Sequence, residues 1–278
     1  MEKHSVNNIS PLRYPGGKTR ARKKLAQIVR DHFNDLEGVT TLVSPFVGGG
    51  SFEFYLQATL AIPLLVANDI FAPLIRFWES AKGDNLELCD RIEKVRGEVD
   101  KPVFREYQNR IMGTRERVEQ GVMFFVINRC SFSGATLSGG FSQQSADKRF
   151  TLSSVDRVRA LDLSNVRFHN LDFENFLYDH VTEKTFVFLD PPYALPESKS
   201  NVLYGKQGDA HSKFDHARLA QCVKKLGCQW MMTYNKCAFI EEMYVGHTIL
   251  DVDWAYSMNA GKPSSEIVIL SRNSGAVK

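Results

Sequence analysis

The spacing of apolar residues changes several times along the chain, and the changes mark its elements. Leu25, Ile28, Val29 and Phe33 recur at helical spacing with basic residues opposite, which predicts an amphipathic helix in TRARKKLAQIVRDHF. Before it, PLRYPGGKT carries the Pro and Gly signals of a loop. TTLVSPFVGGGS reads as a short strand running into a glycine loop, and SFEFYLQATL as a helix with Ser51 as its candidate N-cap. IPLLVANDI is a second strand ending at Asp69. Strand, glycine loop, helix, strand and acid, in that order, make the first βαβ unit of a doubly wound sheet.

Between about 74 and 165 the period is helical. PLIRFWESA, NLELCDRIEKVRGEV, VFREYQNRIMG and RERVEQGVMFFVINR each predict a helix. CSFSGATLSGGFSQQSADKRF is rich in Ser and Gly, has no apolar stripe, and reads as a loop or irregular hairpin. Strand and helix alternate again near 165: NVRFHNLDF, then TFVFL as a buried strand before DPPY, the helix FDHARLAQCVKKLG, and strands in CQWMMTYN, HTILDVDWAYS and SSEIVILSR. The expected division is residues 1–73 and 166–278 as two halves of one α/β core, with 74–165 as an insert.

Composition narrows the class. The chain has 278 residues, 43% hydrophobic and 24% charged, close to the globular average, so a disordered or collagen-like chain is excluded. The longest apolar run, Gly121–Asn128, is far short of the ~18 residues that cross a bilayer, and MEKHSVNNIS has no apolar leader segment. No membrane is expected, and a cytoplasmic location is the default. The cysteines number five and form no C-x-x-C pair, so neither a disulfide framework nor a metal site is expected. The net charge is only +3, but residues 1–31 hold eight Lys and Arg against Glu2 and Asp31. Such a patch suits phosphate, or is simply a solvated helix face.

Three motifs carry chemistry. In FVGGGS, Gly48 and Gly50 let the backbone approach a ligand, but the dinucleotide fingerprint wants a third Gly where Glu53 stands. A dehydrogenase is thereby disfavoured, while a smaller adenosine-containing ligand suits the loop. Asp69, at the end of the next strand, can accept both hydroxyl hydrogens of a ribose. A tight turn with a capping Asp would explain the same residues. PGGKT is not a phosphate-binding P-loop, because Leu12 occupies the position of its first Gly. Tyr14 and Lys18 remain candidates there for touching a ligand. DPPY follows a buried strand, where open α/β sheets bind ligands. Its two prolines fix φ and remove two N–H donors. An Asp oxygen, the Pro191 carbonyl and the Tyr193 face fit an amino group on a flat ring.

Taken together, YPGGK (14–18), SPFVGGGS (44–51), NDI (68–70) and DPPY (190–193) resemble the Dam-type DNA adenine-N6 methyltransferases, and the NR pair (128–129) and SSEIVIL (264–270) resemble further segments of that family. The resemblance implies a Rossmann-like, S-adenosylmethionine-dependent methyltransferase core with a mostly helical target-recognition insert. It implies cofactor contacts from Tyr14, Lys18, Phe46, Gly48, Gly50, Asp69 and Asp190, and catalysis by Asp190, Pro191 and Tyr193. Tyr14 stands where some members have Trp, and CSFSGATLSGG differs from the more aromatic, basic hairpin of GATC-methylating members.

The expected reaction is direct methyl transfer to N6 of an adenine flipped out of double-stranded DNA, without a metal, by a protein taken as a monomer. Expected DNA contacts are Arg20, Lys23, Arg129, Phe132, Ser133 and Lys206. The alternatives are transfer to cytosine N4, an RNA adenine or a glutamine side chain, and a noncatalytic DNA-binding relative.

Overall fold

The computed structural model describes residues 9–194, 214–254 and 264–272. Within them lies a seven-stranded sheet in the order β3-β2-β1-β4-β5-β7-β6. The strands are β1 (Thr41–Ser44), β2 (Leu64–Asn68), β3 (Val166–His169), β4 (Thr185–Leu189), β5 (Gln229–Asn235), β6 (Thr248–Trp254) and β7 (Ser264–Leu270). β1 to β5 pair in parallel, whereas β7 is antiparallel to both β5 and β6. Val43 of β1 pairs with Val66 on one side and Val187 on the other, so the strand order reverses at β1 and β4. A crevice opens beyond the carboxyl ends of two strands at such a reversal.

The strands are apolar on both faces because both are covered. Phe186 and Phe188 of β4 enter the core layer that also contains α1 (Arg22–Phe33) and α2 (Glu53–Thr59). Val187 and Leu189 enter the opposite layer, with α9 (Phe173–His180), α10 (His216–Lys224) and α11 (Ala238–Met243). Alternation at a period of two therefore splits one hydrophobic run between two cores.

The segment expected as an insert holds α3 (Ala72–Gly83), α4 (Asn85–Val95), α5 (Lys101–Arg110), α6 (Arg117–Cys130), α7 (Gln143–Arg149) and α8 (Leu152–Arg159). The expected 73/74 boundary falls inside α3, and that helix also covers the sheet. Trp78 stacks on Phe168 of β3 at 5.8 Å, and its Nε1 donates to the Gly48 carbonyl at 3.1 Å. From Gln120 to Cys130 every residue of α6 is buried, as an apolar helix surrounded by others must be.

Two local expectations are corrected. α2 begins at Glu53 after Phe52, with no side-chain cap, so Ser51 lies in the preceding turn. The Ser/Gly segment is not loop throughout, because its second half forms α7. That helix buries no residue, so it has no stripe to read. Ser142 caps it by accepting from Ser145 N, and Gln143 donates to Asp147 one turn on. No helix among the described residues is long and apolar enough to cross a membrane.

Candidate active site

The crevice at the β1/β4 reversal is a cavity of about 800 Å³. The glycine loop after β1, the acid after β2, the segment before α1 and the corner after β4 all open on it. It brings together Tyr14, Lys18, Phe46, Gly48, Gly50, Asp69, Asp190, Pro191 and Tyr193, every core residue singled out in the sequence.

The glycines serve the loop differently than expected. Gly48 has φ +46° and Gly50 φ +65°, which favour glycine. A Cβ on Gly48 would lie 2.8 Å from the Tyr14 ring, and one on Gly50 2.6 Å from the Phe54 ring. The space is thus filled by the protein's own aromatic rings, and Tyr14 braces the loop. Phe46 lines the cavity and also packs against Phe173 and Phe214, at 5.7 and 5.6 Å between ring centres.

Asp69 is half-buried. Its Oδ2 accepts from Gly48 N at 3.1 Å and its Oδ1 from Phe71 N at 3.0 Å. Burial pushes its carboxyl up to about 6, against the pull of those two backbone bonds. Each oxygen keeps a lone pair, which suits a pair of vicinal hydroxyls.

Lys18 is buried rather than exposed on its loop, only 3% accessible. Its Nζ donates to the Gly16 carbonyl and to both oxygens of Asp190, all at 2.8 Å. It also lies 5.1 Å from the centre of the Tyr193 ring. Thr233 Oγ1 donates to Asp190 Oδ1 at 2.5 Å. A carboxylate offers about four lone pairs, so Asp190 Oδ2 retains one acceptor site for an incoming N–H. Behind this pair lies Glu53, buried, accepting from Ser44 Oγ at 3.0 Å. Burial pushes its carboxyl up to about 8, so it is uncharged at neutral pH.

The expected DNA contacts separate. Arg20 and Lys23 are exposed at the start of α1. Phe132 is 70% exposed on the loop joining α6 to α7, beside Ser133, whose φ is +56°. Thr136 of the same loop lines the cavity. Lys206 lies outside the described residues.

Arg129 is a correction. It is 5% accessible, and its guanidinium donates to the Pro11 carbonyl at 3.0 Å and, through Nε and Nη2, to the Arg149 carbonyl. A guanidinium buried against backbone acceptors holds chain rather than reaching a base. Its neighbour Asn128 clasps Arg13, accepting from its N at 3.0 Å and donating to its O at 2.6 Å. The NR pair therefore ties the insert to the segment carrying Tyr14 and Lys18.

Sequence reasoning passed over Thr233, met Glu53 only as a missing glycine, and named Asn128 only within the NR pair, with no role of its own. Thr233 was recoverable: it is the one aliphatic hydroxyl in the apolar run WMMTY, near the end of the strand beside β4. Asn128 and Glu53 gave no comparable signal, since their partners are distant in sequence or chemically ordinary.

The antiparallel β7 slotted between β5 and β6 makes the sheet mixed, unlike an all-parallel dinucleotide-binding one, and consistent with the fold of a Rossmann-like methyltransferase. The profile of the D12 class N6 adenine-specific DNA methyltransferases matches residues 14–258, and the chain belongs to that family. It is similar to the type II methyltransferase M.MjaIII of Methanocaldococcus jannaschii, at 27% identity over 266 residues, covering 87% of this chain and 89% of that one. It is also similar to the type II methyltransferase M.CviBI of Paramecium bursaria Chlorella virus NC1A, at 21% identity over 272 residues, covering 92% and 95%. The activity is thus methylation of adenine N6 in DNA.

Proposed function

We propose that this chain methylates one adenine within a short recognition sequence in double-stranded DNA, with S-adenosylmethionine as donor, as a modification enzyme of the type II kind. The observation that carries this is the shared cavity, with the Asp190–Tyr193 corner at one side and the glycine loop and Asp69 at another. Bound there, the cofactor would supply an electrophilic methyl on a sulfonium centre. Asp69 would hold its ribose hydroxyls, Tyr14 would support the loop beneath it, and Lys18 and Phe46 would border it.

The amino nitrogen of adenine is a weak nucleophile, because its lone pair is delocalised into the ring. Asp190 Oδ2 and the Pro191 carbonyl would each accept one N–H and draw the nitrogen toward a tetrahedral shape. The carboxylate then stabilises the positive charge growing on nitrogen, while the corner holds the two reactants in line. No covalent enzyme intermediate would be needed: the N–C bond would form as the methyl's bond to sulfur breaks and the thioether leaves, and the cationic nitrogen would then give up one proton to solvent. The target base cannot react inside a duplex and must be extruded, at a cost of a few kcal/mol. Stacking on Tyr193 offsets about 1–3 kcal/mol of that.

Residues 74–165 would serve as the target-recognition insert, with Phe132 and Ser133 reaching the bases and Arg20, Lys23 and Lys206 meeting phosphates. Methylation-sensitive sequencing of DNA from cells expressing the chain tests the whole proposal. The expected result is N6-methyladenine at a single position of one short sequence. Methylated cytosine, or unmodified DNA, would contradict it.

A further inference from the structure

The prolines of the DPPY corner contribute no N–H, so the corner depends on side chains from elsewhere to fix it. Three such bonds come from two neighbouring strands. Thr233 of β5 donates to Asp190, as described, and Asn235 of β5 donates from Nδ2 to the Ala194 carbonyl at 2.8 Å. The third is longer in reach. Tyr193 donates its phenol hydrogen to Glu266 Oε2 at 2.9 Å. Glu266 is 4% accessible, sits on β7, and pairs in register with Asn235. The strands on the far side of the sheet reversal therefore grip the first, fourth and fifth residues of Asp190–Ala194.

We propose that Glu266 is a positioning residue for methyl transfer, fixing the place of the Tyr193 ring on which the extruded adenine stacks. The inference rests on the base-stacking role given to Tyr193 above. A tyrosine ring pivots about two side-chain torsions, and a bond at its far end removes the swing that stacking would otherwise have to freeze. A carboxylate held on a strand is a stiff anchor for it. Because stacking and the grip on N6 use the same four-residue corner, a displaced ring would misplace the amino group relative to Asp190.

The test uses the full chain with S-adenosylmethionine and a duplex containing its mapped site, with 2-aminopurine in place of the target adenine for fluorescence. Glu266→Leu is expected to lower the single-turnover methylation rate about tenfold and to blunt the fluorescence rise, with cofactor affinity unchanged. Glu266→Gln, which keeps an acceptor oxygen, recovers most of both. Tyr193→Phe behaves like Glu266→Leu, and the double variant is no worse than the poorer of the two, since the bond they share is lost in each. A wild-type rate and fluorescence in Glu266→Leu would overturn the proposal, as would losses that multiply in the double variant. If Glu266→Leu does not fold, a full rate in Tyr193→Phe overturns it equally. A separate control isolates the stacking role: if Tyr193→Ala keeps the wild-type fluorescence and rate, that role itself fails, whatever Glu266 does.

Discussion

Single side chains set the protonation states in this cavity, and two of them make the protein sensitive to pH, one through binding and one through stability. Asp69 must be ionised to accept two hydroxyl hydrogens, and burial raises its carboxyl to about 6. Cofactor affinity should therefore hold above pH 7 and weaken as pH falls through about 6. Isothermal titration across that range checks it, and the step should vanish in Asp69→Ala, whose affinity is already low. Glu53 acts on folding instead. Its carboxyl ionises near 4.5 in the unfolded chain but near 8 in the fold. Its contribution to stability is full below about 4.5 and is lost as pH rises toward about 8. Glu53→Gln has no charge to bury, so its melting temperature should gain on the wild type steadily between pH 5 and 8.

At the scale of elements, the join between α6 and the segment before α1 governs the site from outside it. Asn128 satisfies both backbone groups of Arg13, the residue before Tyr14. Asn128→Ala leaves those groups unpaired and buried in part, at a cost on the order of 2 kcal/mol. It should also loosen Tyr14 and Lys18 and weaken cofactor binding severalfold. Thermal melting and cofactor titration measure the two effects, and unchanged cofactor affinity would remove the link. Elements are also where the sequence was most and least legible. TFVFL before DPPY announced itself, because a buried parallel strand is apolar throughout. α7 did not, because an exposed helix held by a cap leaves no hydrophobic stripe. Arg129 was misplaced for a related reason: a basic residue gives the same letter whether it reaches solvent or donates inward to carbonyls.

For the whole molecule, function follows from the point where the strand order reverses. The glycine loop, Asp69 and the Asp-Pro-Pro-Tyr corner were readable as motifs because each follows its strand directly. What joins them was not readable. The contacts from Lys18 to Asp190, Thr233 to Asp190 and Tyr193 to Glu266 cross 172, 43 and 73 residues. Such pairs exist only once the sheet order is known. The buried Lys18 is the cation that pairs with the corner.

The most direct measurement of the central claim is transfer of isotope-labelled methyl from S-adenosylmethionine to DNA by the wild type and by Asp190→Ala, with the product base identified by mass spectrometry. The wild type should yield labelled N6-methyladenine, and Asp190→Ala should fold and lose about a hundredfold or more in rate. Near-normal turnover in Asp190→Ala, or a label on cytosine, would contradict the assignment.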